Sequence, residues 1–168
     1  MEKITAQFLA FLFCLLSLSA VGASSFSVGE RAPDFALPTL AGKNLRLSEY
    51  RSEVVVLNFW ATWCGKCSDA MPVLESLYEQ HQGAGLNVIA VGVDAESHKA
   101  VELINAADIS FPVLTDDATK TVSRLYDLGK LPLTLVIDRE GNVRHIHKGF
   151  SKESGARMMA EVAELLAE

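Results

Sequence analysis

The sequence predicts an α/β fold with a mixed central sheet flanked by helices. Three observations carry that expectation. Val54–Trp60 (VVVLNFW) and Leu86–Val93 (LNVIAVGV) are continuous apolar, β-branched runs, the pattern of strands buried on both faces. Segments with helical spacing alternate with such runs, which builds strands and helices into one layered sheet. Leu133–Asp138 and Val143–His147 flank a turn signal, REGN, and this closing hairpin makes the sheet mixed rather than purely parallel. The chain has 168 residues, 49% of them hydrophobic, which suits one domain with a sizeable core. Its net charge of -6 argues against nucleic acid, whose phosphates call for a basic surface.

Taken in order, the first stretch stands apart from the fold. Lys3 gives a thin positive start, weakened by Glu2, and Phe8–Ala23 is apolar and ends in small residues. Val21 and Ala23 fit the pattern before a cleavage point, so residues 1–23 read as a secretory signal peptide. The competing reading is an uncleaved anchor, but the apolar run is short for a span of about 20 residues. Cys14 lies inside the run, and the bulky Phe13 before it does not suit a lipid-modified cysteine. The expected mature domain is 24–168, exported to the periplasm or beyond.

Within that domain, Ala41-Gly42 marks a hairpin turn between Phe35–Leu40 and Asn44–Leu47. The strand Val54–Trp60 is followed by a helix from Cys64 to about Gln82, with Met71, Leu74, Leu77 and Tyr78 on one face. Pro72 interrupts its ladder, and Gly83 and Gly85 end it. After the strand Leu86–Val93 come a helix from Glu96 to about Ala107, a short strand Phe111–Leu114 and a helix Ala118–Tyr126. Ser151 caps a last helix that runs to Leu166, with Glu153 close behind it.

The domain holds two cysteines, Cys64 and Cys67, two residues apart. A cross-link closing so short a loop adds little stability, because the effect grows with loop length. Reactivity is the better reason for the pair. Cys64 stands where a buried strand gives way to a helix, and unpaired N–H groups at a helix start favour an anion. Lys66 adds a nearby positive charge. Together they are expected to draw the Cys64 thiol below its free value of about 8.5. Cys67 is one helical turn on, on the same side, and is placed to resolve a mixed disulfide on Cys64.

Other chemistries fit less well. A structural zinc needs about four ligands, and His81, His98, His145 and His147 lack finger-like spacing to complete the pair. Covalent haem attachment needs a histidine after the second cysteine, where Ser68 stands. His145 and His147 share one face of a strand; they read as solvated edge positions rather than metal ligands.

FWATWCGKC (Phe59–Cys67) resembles the W-C-x-x-C signature of the thioredoxin superfamily. APDFALPTLAGKNLRLSEYR (Ala32–Arg51) resembles the hairpin extension of its exported branch, the TlpA-like thiol-disulfide oxidoreductases, which include cytochrome c maturation reductases. KLPLTLVIDREGNV (Lys130–Val143) resembles the family's cis-proline loop and next strand. The resemblance implies a thioredoxin-like fold with an N-terminal β-hairpin extension and a redox-active disulfide, Cys64–Cys67. It implies a cis Leu131-Pro132 bond beside the cysteines, with Leu131 and Pro132 binding an extended substrate chain and Trp63 as an exposed platform. Trp60 is expected in the core.

The sequence also departs from the family pattern. The buried aspartate of thioredoxins is replaced by Asn58, and an amide cannot take a proton from a thiol. The glutamate that many TlpA-like reductases carry three residues after the second cysteine is replaced by Ala70. A second family acid falls near Asp94 or Glu96, which leaves Glu96 or a water to serve Cys67; Asp69 is expected to face solvent.

The resemblance implies exchange with protein thiols and disulfides without a metal or organic cofactor, and a membrane electron donor for a reductase. Two alternatives are a disulfide-forming oxidase of the same fold and a non-catalytic module holding peptides or copper. A peroxidase of the superfamily would carry its cysteine in a Pro/Thr-rich loop, unlike the aromatic WATWC context.

Overall fold

The structure is a computed structural model, and it describes residues 26–95, 98–116 and 120–168. The signal segment 1–23, Cys14 and Glu96 lie outside the described residues.

The elements run β1 (Ala36–Pro38), β2 (Asn44–Arg46), β3 (Val54–Trp60), α1 (Gly65–His81), β4 (Leu86–Gly92), α2 (His98–Ala106), β5 (Val113–Thr115), α3 (Thr121–Leu125), β6 (Leu133–Ile137), β7 (Val143–Lys148) and α4 (Lys152–Ala167). Five strands form the main sheet in the order β5-β4-β3-β6-β7. β3, β4 and β5 are parallel, while β6 runs antiparallel to β3 and β7 to β6. The mixed sheet and the separate β1-β2 hairpin match the expected architecture.

β3 explains why a continuous apolar run was needed. Its alternate side chains enter two different cores. Val54, Val56 and Trp60 pack with Met71, Leu74 and Leu77 of α1 and with Val162 and Leu165 of α4. Val55, Leu57 and Phe59 pack with Phe35, Leu37, Leu45 and Leu47 of the N-terminal extension and with Tyr126. Every residue of β3 is buried. Each such aliphatic side chain contributes about 1.5–3 kcal/mol on burial.

The extension therefore serves as a lid on one face of the sheet. It is fastened at both edges, by a bridge from Arg31 to Asn142 beside β7 and one from Thr39 to Leu114 in β5. Tyr126 anchors it from within, since its hydroxyl donates to the Pro33 carbonyl at 2.5 Å. Burial holds the Tyr126 phenol above its ordinary value, which favours the protonated, donating form.

α4 is capped by Ser151, as the sequence indicates, but the reciprocal partner is Ser154 rather than Glu153. The Ser154 hydroxyl receives the Ser151 N–H at 2.9 Å.

Asp34 ties the hairpin region together, accepting from the Ser48 N–H and hydroxyl, both at 2.9 Å, and from Arg46 at 3.3 Å. Partial burial pushes its carboxyl upward, but the hydrogen bonds from Ser48 and the Arg46 guanidinium outweigh that, and its pKa falls below the ordinary 3.8. A depressed carboxyl stabilises the fold above its unfolded pKa, and the contribution fades as pH falls through the lower folded value. Asp34→Asn should lower the urea midpoint by a constant amount at neutral pH. That gap should close below about pH 4; a gap that persists into acid would mean the carboxylate is not its source.

Candidate active site

β3 delivers Trp60 to the end of the sheet, and four residues later the chain turns into α1. Cys64 is the N-cap residue, in extended backbone at φ -95 and ψ 99. Its sulfur accepts the Cys67 N–H at 3.2 Å, and its carbonyl accepts the same N–H at 3.0 Å. One of the helix's unpaired donors thus points at the Cys64 sulfur. Cys64 and Cys67 form a disulfide with Cα atoms 5.3 Å apart. The two cysteines are both buried but not equally, since residue Cys64 keeps 8% exposure and Cys67 1%. Cys64 lies at the rim and Cys67 beneath it. Trp63 beside them is 69% exposed, while Trp60 is buried, as expected for each.

Lys66 has a carboxylate neighbour one turn on. Its Nζ lies 3.6 Å from Asp69 Oδ2, and both side chains are mostly in solvent. An exposed pair of this kind interacts weakly and shares its charge locally. The contact made directly on the Cys64 sulfur is that of the helix start, through the Cys67 N–H. Asp69 faces solvent as the sequence indicates.

The proton-transfer positions are also resolved in part. Asn58 is buried, and its Nδ2 donates to Thr134 Oγ1 at 2.8 Å across the β3-β6 pairing. Ala70 is buried on α1 and brings no acid. Asp94 accepts from the Thr62 N–H at 2.9 and 3.2 Å and from the Thr62 hydroxyl at 2.5 Å. It therefore clamps the loop between Trp60 and Cys64. Gly92 permits this turn, since a Cβ there would fall 2.3 Å from that of Ala95.

The Leu131-Pro132 bond is cis. β6 starts directly after it, and Leu133 pairs with Phe59 at the end of β3, so the loop and the disulfide share one end of the sheet. Leu131 packs against the cluster that contains Cys64 and Cys67. The Pro132 carbonyl accepts the Gly149 N–H at 2.7 Å, which ties the loop to the end of β7.

His145 and His147 are not the solvated edge positions their spacing indicated. Both face α4 and converge on one carboxylate, with His147 Nε2 2.6 Å from Glu161 Oε2 and His145 Nδ1 3.4 Å from Glu161 Oε1. β7 is an edge strand, but α4 covers this part of it. Among the described residues no group of three or more potential metal ligands is arranged to hold an ion.

Sequence reasoning missed Thr62, Thr134 and Glu161. Thr134 had a legible signal, an alternating polar residue in an apolar strand opposite Asn58. The Thr62–Asp94 contact joins residues 32 apart and leaves no local trace.

A model of the AhpC/TSA family matches residues 28–146. The chain is 33% identical over 159 residues to the thiol-disulfide oxidoreductase ResA of Geobacillus thermodenitrificans (strain NG80-2), covering 89% of this chain and 91% of that protein. It is 34% identical over 140 residues to ResA of Geobacillus kaustophilus (strain HTA426), covering 83% and 80%. Among solved structures, a Chlorobium tepidum protein described as a thiol:disulfide interchange protein, DsbE, superposes with a TM-score of 0.78 at 33% identity, covering 84% of this chain and 99% of that one.

The Thr62–Asp94 clamp has a measurable consequence. Asp94→Ala should lower stability by about 1–3 kcal/mol, because it strands a half-buried N–H and a hydroxyl. A double-mutant cycle with Thr62→Val should show coupling of about 0.5–3 kcal/mol in urea unfolding. Additive losses would show that the two side chains act independently.

Proposed function

The chain belongs to the AhpC/TSA family of the thioredoxin superfamily and is a thiol-disulfide oxidoreductase, and on that premise we propose that it is an exported reductase of protein disulfides working through Cys64 and Cys67. The observation that carries the assignment of roles is the N-cap geometry: a rim sulfur facing a helix N–H above a buried second sulfur.

In the reduced chain, the Cys64 thiolate attacks one sulfur of a partner's disulfide. A Cys64–partner disulfide forms, and the partner's other sulfur leaves as a thiolate. Cys67 then loses its proton and attacks Cys64 Sγ. The Cys64–Cys67 bond forms, the partner's second thiol is released, and two electrons have passed to the partner. A donor dithiol must then reduce the chain again. An exported protein would take those electrons from a membrane protein that carries them across.

Leu131 and Pro132 are proposed to hold the partner's extended backbone, and Trp63 to cover its side chains. Glu96 is proposed as the acceptor of the Cys67 proton, since Asn58 and Ala70 cannot act as one. Export rests on the leader-like residues 1–23. The reducing direction follows the reductive branch that the order of the motifs resembles.

Three measurements test this reading. Dithiothreitol-driven reduction of insulin should be catalysed by the wild-type chain and fall to background in Cys64→Ser and in Cys67→Ser. Glu96→Gln should retain slower exchange but lose the acid-side limb of its pH profile, where protonation of the carboxylate shuts off the base. Equilibration with glutathione should place the potential below about -200 mV, whereas a value near about -120 mV would assign the opposite direction, disulfide formation. Catalysis that survives Cys64→Ser would overturn the scheme.

A further inference from the structure

The chain carries a net charge of -6, yet one surface beside the disulfide is cationic. Lys130, Lys148 and Arg157 line a groove of about 310 Å³ whose wall contains no carboxylate. All three are exposed, and among the described residues none of them enters an ion pair. His147 shares this wall, with its Nε2 held by Glu161.

The groove is fixed to the substrate end of the sheet. Lys130 precedes the cis Leu131-Pro132 bond, and its side chain lies across Gly149, where a Cβ would fall 3.2 Å from Cε and 3.4 Å from Nζ. The Gly149 N–H in turn donates to the Pro132 carbonyl. A second groove of about 640 Å³ shares Phe150 and Ser151 with the first, adds Lys66 and Lys152, and reaches Ser68, next to Cys67. The only carboxylate on that second wall, Asp69, is already paired with Lys66. Cationic side chains on two adjoining grooves therefore form a track from beside the cis-proline loop to the first turn of α1.

We propose that this track docks an acidic stretch of the partner polypeptide, next to the cysteine that exchanges with Cys64. The inference rests on the exchange reading above and supplies its specificity. An acidic chain repels acidic partners overall, so a local cationic track selects for register as well as for charge. Exposed charges of this kind also make the contact sensitive to salt.

The test uses the full oxidised chain and two fluorescent peptides without cysteine, identical except for a run of Glu in one and Gln in the other. The Glu peptide should bind at least about tenfold more tightly, and raising salt from about 20 mM to about 300 mM should erase the difference. The preference should vanish in the double variant Lys148→Gln/Arg157→Gln and persist in the double variant Arg31→Gln/Lys43→Gln, an equal charge loss on the N-terminal extension outside both grooves. Equal binding of both peptides by the wild-type chain, or a preference that survives the double variant, overturns the proposal. Disulfide-containing versions of the same peptides separate the two readings in the wild-type chain. Reduction of both with no charge preference leaves the exchange reading and removes the groove. Charge-dependent binding with no reduction supports the groove and removes the exchange reading.

Discussion

The Cys67 N–H points at the sulfur of Cys64, and most of the site follows from that one contact. A helix begins with donors that have no partner inside it. Here the residue that caps the first turn is a cysteine instead of the usual serine, threonine or aspartate. The cap's acceptor is therefore a sulfur, and a sulfur that accepts a hydrogen bond is favoured as an anion. The rest of the fold holds this junction in place. β3 is fixed in the sheet by two cores, one on each face, so the chain leaves it at a defined point and turns into α1 within four residues.

Two polar clamps keep the junction from relaxing. Asp94 holds Thr62 by backbone and side chain, which pins the loop ahead of Cys64 to the end of β4. Asn58 ties β3 to β6 through Thr134, just below the cis-proline loop. Asn58 occupies the position of a buried acid but acts as a donor across the sheet. The strand pair gains a buried hydrogen bond, and the nearest element to Cys67 in sequence loses a proton acceptor.

The sequence was informative wherever one residue type has one physical use. The run VVVLNFW has no sensible place except a strand covered on both sides, and the structure gives β3 those bounds. The paired cysteines, the exposed Trp63 and the cis bond at Pro132 were legible through the family's motif order. What could not be read was the pairing of groups far apart in the chain. His145 and His147 looked solvated because nothing local announces that α4 lays Glu161 over the edge strand. Periodicity gives the face a residue occupies, and only the tertiary packing decides what covers that face.

The most direct measurement is the pH dependence of Cys64 alkylation in the reduced chain, with Cys67→Ser to isolate the signal. If the helix start primes the sulfur, the rate midpoint falls below about 8.5 and moves little in Lys66→Ala. A midpoint at or above that value would contradict the helix-cap account, and a large rise in Lys66→Ala would transfer the effect to the lysine.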